Sequence, residues 1–214
     1  MKIAPSLLAA DFLNLEKDVR MLNDNADFIH LDVMDGSLVP NISFGFSVLE
    51  PLSRIATIPM DAHLMVVEPQ HWFTKIASLG IQMCSFHLEA AGTRTARFID
   101  ELHSLGLLAG VAVDPDVPVS KLFKYIGKAD YILLMSVFAG FGGQKFIPES
   151  VGRVSELKAE ILRRGESTLI EIDGGVGASN ASIIREAGVD IAVAGSSVFK
   201  SDDPGRMIAS LREA

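Results

Sequence analysis

The chain has 214 residues, of which 49% are hydrophobic and 21% are charged, and its formal net charge is −8. This composition is typical of a globular protein with a full hydrophobic core. The acidic balance argues against a nucleic-acid-binding surface, since no basic cluster is present to neutralise phosphates. The single cysteine, Cys84, excludes an intramolecular disulfide and favours a reducing, cytoplasmic location. No apolar run approaches the length of a membrane span, so we expect no membrane association.

A short apolar run followed by a longer amphipathic stretch recurs eight times along the chain. The predicted strands begin, in chain order, at Ile3, Phe28, Met60, Met83, Leu108, Tyr131, Thr168 and Ile191. The predicted helices cover residues 13–23, 44–55, 69–79, 93–105, 119–127, 148–164, 179–187 and 204–212. This pattern predicts an α/β fold, a (β/α)8 TIM barrel of parallel strands forming one domain over residues 1–214. An open doubly wound sheet is the alternative, but residues 4–11 lack the glycine fingerprint expected after its first strand.

Four metal-ligand side chains fall at or near the ends of three predicted strands. His30 and Asp32 are two residues apart in an apolar run, so on a strand they point to the same face. His63 lies in the next strand and Asp173 ends the seventh. In a (β/α)8 barrel the functional residues lie at the carboxyl ends of the strands, where these four side chains can converge. Imidazole and carboxylate ligands suit one divalent ion per subunit, and Zn²⁺, Fe²⁺, Mn²⁺ and Co²⁺ all remain open.

Glycine-rich segments follow the last three predicted strands, at residues 139–144, 173–177 and 194–197. Glycines allow backbone N–H groups to approach an anion closely, and a following helix start adds a favourable dipole. The loops after the seventh and eighth strands are the usual phosphate position in this fold. The three segments therefore predict a phosphorylated small-molecule substrate.

Asp32 and Asp173 lie on the second and seventh predicted strands, which the barrel layout places on opposite sides. One carboxylate could remove a proton next to a carbonyl while the other returns a proton to the opposite face, which inverts the carbon. A bound metal would stabilise the oxyanion that forms. Four further side chains are predicted to line the mouth of the barrel: Met34, Met65, Met135 and His87, the last of which could instead orient a neighbouring residue.

Seven short motifs occur in a fixed order: APS at 4–6, HLDVMDG at 30–36, VPN at 39–41, HLMV at 63–66, GFGGQ at 140–144, DGGVG at 173–177 and GS at 195–196. Over essentially its whole length, the chain resembles the ribulose-phosphate 3-epimerase family. The resemblance implies a barrel of the ribulose-phosphate-binding type and a metal-dependent isomerase that interconverts D-ribulose 5-phosphate and D-xylulose 5-phosphate through an enediolate. It also implies a homo-oligomer, either a dimer or a hexamer.

The resemblance assigns roles to individual residues. It implies that His30, Asp32, His63 and Asp173 hold the metal, with Asp32 as proton acceptor and Asp173 as proton donor. Ser6 and His63 would contact the substrate near the reacting carbon. The phosphate and the rest of the substrate would be held by Gly140, Phe141, Gly142, Gly143, Gly174, Gly175, Gly195 and Ser196.

The chain departs from the family pattern around the substrate loops. Phe138 and Ala139 stand where the family usually has Asn-Pro or Asp-Pro, and Asp114 stands where Asn is common. Without proline we expect a looser loop after the sixth strand, so that Ala139→Pro should lower KM. Three alternatives stay open: a D-allulose 6-phosphate 3-epimerase, a metal-dependent aldolase or lyase, and a non-catalytic sugar-phosphate-binding barrel.

Overall fold

The computed structural model describes all residues, 1–214. Eight parallel strands form one sheet in the order β1-β8-β7-β6-β5-β4-β3-β2. A bridge between Ser6 and His30 links the first and second strands and nearly closes the barrel. The predicted (β/α)8 barrel is confirmed. The strands are β1 Lys2–Pro5, β2 Ile29–Met34, β3 Met60–Met65, β4 Met83–His87, β5 Leu108–Val113, β6 Tyr131–Met135, β7 Leu169–Asp173 and β8 Ile191–Ala194.

Helices surround the barrel. The α-helices are α1 Leu15–Asn25, α2 Phe46–Ile55, α3 Gln70–Ser78, α4 Leu88–Ala91, α5 Thr95–Ser104, α6 Ser150–Arg164, α7 Ala181–Ala187, α8 Ser196–Phe199 and α9 Pro204–Glu213. Short 3₁₀ helices cover Leu7–Ala9, Gly92–Arg94 and Val119–Tyr125. None of the helices combines the length and the apolar character needed to span a bilayer.

The observed bounds follow the periodicity closely, and the exceptions have local causes. The first helix begins two residues later than predicted because the Asp11 side chain accepts the Leu13 N–H and holds a turn there. The fifth predicted helix is a 3₁₀ helix instead. The short helices α4 and α8 were not predicted, because four residues are too few to show a helical period.

Each strand separates an apolar outer face from a mixed inner face, because successive side chains point to opposite sides. On β2, the alternate residues Ile29, Leu31 and Val33 belong to a core of 48 buried residues that joins the barrel to its helices. Their neighbours His30 and Asp32 do not belong to it and are fully or almost fully buried. The strands therefore anchor the helices with one face and leave the other for chemistry.

The barrel interior contains a close approach between β5 and β6. The fully buried Tyr131 ring lies where a Cβ on Gly110 would be, 2.3 Å from the nearest ring atom. The same Cβ would be 2.8 Å from Ser85 Cβ. Glycine at position 110 therefore makes room for an aromatic ring to cross the interior.

We expect Gly110→Ala to lower the free energy of unfolding by about 3 kcal/mol, at the upper end of the usual range for overpacking, because the added methyl overlaps a buried ring. Urea unfolding measures the change. The matched control is Gly152→Ala in α6, where a Cβ would meet no atom within 4 Å. We expect the control to gain about 0.5–1 kcal/mol. An unchanged stability in Gly110→Ala would contradict the packing described here.

Candidate metal-binding active site

Four side chains from β2, β3 and β7 meet at the carboxyl end of the barrel. Each offers one ligand atom, and the four atoms all lie within 4.8 Å of one another. Asp32 Oδ1 is 3.5 Å from both His30 Nε2 and His63 Nδ1. Asp173 Oδ2 is 3.9 Å from His30 Nε2 and 3.8 Å from His63 Nδ1. The four candidate ligands, called the metal cluster below, are therefore arranged around one point.

The hydrogen bonding inside the metal cluster is incomplete in a way that fits a cation. His30 Nε2 and His63 Nδ1 are buried, and neither has a hydrogen-bond partner. Buried polar atoms are rarely left unsatisfied. Ligands bound to one ion at about 2.1 Å are separated by roughly 3–4 Å, and the four imidazole–carboxylate distances fall in this range. The residues present thus fit a divalent ion.

The pKa values of the metal cluster reflect mutual charge compensation. Burial alone would raise the pKa of Asp32, but the adjacent His30 and His63 outweigh burial and lower it. Burial would lower the pKa of His30, but the carboxylates of Asp32 and Asp61 outweigh burial and hold it well above its usual value. Burial, assisted by His87 and His30, lowers the pKa of His63 to about 4. A neutral His63 imidazole is the form that binds metals.

Asp173 behaves differently from Asp32. Burial and the negative charge of Asp32 raise the pKa of Asp173 to about 7. Asp173 is also the more accessible of the two, since its side chain is 15% exposed and that of Asp32 is 5% exposed. Near neutral pH, and without a cation, Asp32 is ionised while Asp173 is only partly ionised.

A buried polar network beneath the metal cluster was missed by sequence reasoning. Asp61 Oδ2 lies 2.7 Å from His30 Nδ1, and Asp61 Oδ1 accepts a 2.7 Å hydrogen bond from the Tyr131 hydroxyl. The carboxyl of Glu171 is fully buried, and neither of its oxygens has a hydrogen-bond partner. Burial and the charge of Asp61 raise the pKa of Glu171 well above its usual value. The only sequence signal for this network was that Asp61 and Glu171 are polar residues at inward positions of apolar strands.

Above the metal cluster, a pocket with about 570 Å³ of empty space opens to solvent. Asp32 and Asp173 line it, whereas the buried His30 and His63 lie below it. Several predicted substrate-contacting residues also line this pocket: Ser6, Gly140, Phe141, Gly142, Gly143, Gly174, Gly175, Gly195 and Ser196. Met34, Met65 and Met135 belong to the lining too. His87 does not; it lies behind His63, with its Nε2 atom 2.9 Å from His63 Nε2.

The rim of the pocket after β7 depends on glycine. Gly175 has a φ of +64°, and a Cβ there would lie 2.4 Å from the Phe146 backbone nitrogen. Any side chain would push the β7 loop away from the loop between β6 and α6. The two glycine-rich loops can therefore approach each other and the space that a ligand would occupy.

The β6–α6 loop, residues 136–149, lacks the family's proline but is anchored by hydrogen bonds. The Ala139 N–H donates to Asp114 Oδ1 at 3.1 Å, and Asn41 Nδ2 donates to the Gly140 carbonyl at 2.7 Å. Gln144 Nε2 donates to the Phe138 carbonyl at 2.7 Å. A proline at position 139 could not make the first bond, because it lacks an N–H. The departures at 114 and 139 form one contact, which argues against the expected looser loop.

The placement of the two aspartates also differs from the expectation. β2 and β7 are not on opposite sides of the barrel but three strand positions apart, with β1 and β8 between them. Even so, the two carboxylates approach the same two imidazole nitrogens. Barrel curvature therefore brings them to one centre without full opposition.

Comparison with known proteins identifies the family. Residues 2–199 match the model of the "Ribulose-phosphate 3 epimerase family". The chain belongs to this family. The ribulose-phosphate 3-epimerase of Mycobacterium tuberculosis is 42% identical over 211 residues, covering 98% of this chain and 91% of that protein. The enzyme of the same name from Schizosaccharomyces pombe is 39% identical over 218 residues, covering 100% of this chain and 93% of that protein.

Solved structures agree on the fold. A 3-hexulose-6-phosphate synthase superposes with a TM-score of 0.72 at 13% identity, covering 100% of this chain and 99% of that structure. At this identity the likeness shows the barrel architecture alone. Membership of the epimerase family rests on the sequence matches instead.

We expect Tyr131→Phe to lower the free energy of unfolding by about 1–3 kcal/mol, because Asp61 Oδ1 would lose its hydrogen-bond donor in a buried site. Urea unfolding of the protein without added metal is the measurement. Tyr125→Phe is the matched control, since Tyr125 is 4% exposed and its hydroxyl makes no hydrogen bond in the structure. If both variants lose the same amount, the Tyr131–Asp61 bond contributes nothing specific.

Proposed function

We propose that this chain is a metal-dependent isomerase that interconverts D-ribulose 5-phosphate and D-xylulose 5-phosphate by inversion at C3. The observation that carries the proposal is the pair of carboxylates, Asp32 and Asp173, that flank the same two buried imidazoles at the floor of an open pocket. The family relationship supports the same reaction and substrate.

His30, Asp32, His63 and Asp173 would hold one divalent ion per subunit, and their nitrogen and oxygen donors suit Zn²⁺, Fe²⁺, Mn²⁺ or Co²⁺. When bound, the ion polarises the substrate carbonyl at C2 and stabilises the negative charge that develops on its oxygen. The carboxylates would compensate the ion's charge, fully when both are ionised and partly when Asp173 carries the proton that it donates.

The two carboxylates would act as a pair of proton-transfer groups. Asp32, whose pKa is lowered, accepts the C3 proton, and the C–H electron pair forms the C2–C3 double bond of an enediolate. Asp173, the more exposed of the two carboxyl groups, would deliver a proton to C3 from the other face. The roles exchange in the reverse direction. The Ser6 hydroxyl donates to Asp32 Oδ2 at 2.5 Å, which orients the carboxylate of this base.

The substrate phosphate would be bound by backbone N–H groups of the glycine-rich loops, around Gly142, Gly143, Gly175, Gly195 and Ser196. This mode of binding needs no lysine or arginine and suits a chain of net charge −8. The three pocket methionines would form a low-polarity wall that excludes water from the enediolate.

We further propose that the chain works as one domain over residues 1–214, in the cytoplasm and as a homo-oligomer. The single, fully buried Cys84 supports a reducing compartment. Sedimentation of the purified protein would test the oligomeric state.

Proton NMR in D₂O tests the reaction. The metal-loaded protein is incubated with D-ribulose 5-phosphate or with D-allulose 6-phosphate, with and without a chelator. We expect deuterium at C3 together with the inverted pentulose, and loss of both on chelation. Faster turnover of the hexulose phosphate would assign D-allulose 6-phosphate as the preferred substrate. Cleavage products would indicate an aldolase or lyase. Binding without exchange would indicate a non-catalytic barrel.

Asp173→Asn tests the two-base mechanism. We expect kcat for epimerisation to fall at least about 100-fold, because the amide cannot donate a proton in the place of the acid. The rate of C3 proton exchange through Asp32 should fall less than the rate of inversion. NMR in D₂O measures the two rates separately. Metal content is measured alongside. Asp202→Asn, an exposed aspartate remote from the pocket, is the control. Near-normal inversion in Asp173→Asn would contradict the assigned role.

Ala139→Pro tests the anchoring of the β6–α6 loop. We expect KM for ribulose 5-phosphate to rise about fivefold, the equivalent of about 1 kcal/mol, because the hydrogen bond to Asp114 is lost. Two controls keep the bond: Ala139→Ser retains the N–H, and Asp114→Asn retains a carbonyl acceptor. Both should stay within about twofold of the parent protein. A lower KM in Ala139→Pro would show that proline's rigidity outweighs the bond.

A further inference from the structure

His87 is a buried imidazole that the proposed mechanism does not use. It ends β4, is 1% exposed and lies outside the substrate pocket. Its Nε2 atom is 2.9 Å from His63 Nε2, and the two ring planes differ by 16°. Two ring nitrogens at this distance share one hydrogen, so one imidazole donates and the other accepts.

The side on which His63 faces the metal cluster decides which ring donates. His63 Nδ1 points at the carboxylates of Asp32 and Asp173 and has no hydrogen-bond partner. If Nδ1 is the ligand atom, the neutral ring carries its only proton on Nε2. That proton is donated to His87 Nε2. His87 is then an acceptor at Nε2 and must carry its own proton on Nδ1.

A carboxylate lies on the side of His87 where this proton would be. Glu89 Oε2 is 3.7 Å from His87 Nδ1, and Glu89 Oε1 accepts the Asp114 backbone N–H at 2.9 Å. Burial alone would raise the pKa of Glu89, but its contacts with His87 and with the Asp114 N–H outweigh burial and lower it. Glu89 is thus an anion held by the end of β5 and directed toward His87.

We propose that His87 and Glu89 are positioning residues that fix the tautomer and orientation of His63, so that Nδ1 of His63 is presented to the metal. The proposal rests on the metal centre of the proposed function. Partners that bind the second nitrogen of a ligand histidine commonly raise metal affinity by 10–100-fold. His30 has a direct carboxylate partner in Asp61, whereas His63 reaches its carboxylate through a second imidazole.

The proposed protonation of His87 is incompatible with a second cation site beside it. His87, Glu89 and Asp114 each offer an atom within 4.8 Å of the others, which could suggest a separate cation site. A proton on His87 Nδ1 occupies the position that such an ion would need. The proposed chain of contacts from His63 through His87 to Glu89, called the relay below, therefore excludes a second ion at His87. One measurement distinguishes the two.

Long-range ¹H–¹⁵N NMR of the full chain, titrated with Zn²⁺, reads the tautomers directly. We expect His63 to be metal-bound at Nδ1 and protonated at Nε2, and His87 to be protonated at Nδ1 only. A proton on His87 Nε2, or a second Zn²⁺ bound at His87 Nδ1, would overturn the proposal. If Zn²⁺ does not reach His63 at all, the metal centre itself is wrong and the relay falls with it.

Substitutions test the energetic consequence, with Co²⁺ affinity and the Co²⁺ absorption spectrum as readouts. We expect His87→Phe to weaken Co²⁺ binding by about 10–100-fold, because Phe cannot accept the His63 proton. His87→Gln supplies an amide oxygen as acceptor and should restore most of the affinity. Glu89→Gln keeps the acceptor for Asp114 but removes the charge, and a loss of roughly three- to tenfold is expected.

Matched controls separate positioning from general damage. His71→Phe on α3 and Glu68→Gln make the same chemical changes at exposed positions and should leave Co²⁺ affinity unchanged. Thermal melting without metal shows whether a variant is folded. Parental Co²⁺ affinity and spectrum in Glu89→Gln, or equal losses in His87→Phe and His87→Gln, would overturn the positioning role even if the metal centre and epimerase activity are intact.

Discussion

The burial of two imidazoles and two carboxylates around one point is the constraint on which the rest of this structure depends. Charges removed from water are costly unless they compensate one another. Without a cation, protons supply part of the compensation: the pKa of His30 is raised, and that of Asp173 reaches about 7. A divalent ion would provide this compensation with a positive charge that does not depend on pH. His30 Nε2 and His63 Nδ1 have no hydrogen-bond partner, which indicates that these residues favour compensation by a divalent ion.

The barrel tolerates this polar interior because stability comes from elsewhere. The outward residues of the strands join the helices in a core of 48 buried residues, so the inward positions are free to carry polar groups. Those groups are nevertheless arranged closely. Tyr131 donates to Asp61, and the missing side chain of Gly110 leaves room for the Tyr131 ring. Burial and the charge of Asp61 raise the pKa of Glu171 beneath the metal cluster.

The rim of the pocket serves a different physical purpose. Backbone N–H groups can bind an anion without lysine or arginine, provided that side chains do not keep the anion away. Glycine at 175 meets this need, and the neighbouring β6–α6 loop is held from outside by Asn41 and Asp114. Preorganised loops reduce the entropy that substrate binding must overcome. An acidic chain can in this way accommodate a sugar phosphate.

The period of apolar residues determined the eight strands and most helices. It also placed His30, Asp32 and Asp173 at the carboxyl end of the barrel. Both were readable from the sequence because side-chain alternation and strand ends are local properties. Local patterns could not reveal contacts between distant segments. The Ala139–Asp114 bond, the hydrogen bonds of Asp61, the His63–His87 contact and the three-strand separation of the aspartates all depend on how the barrel closes. Closure sets the distances between strands far apart in sequence, and only the tertiary structure could decide them.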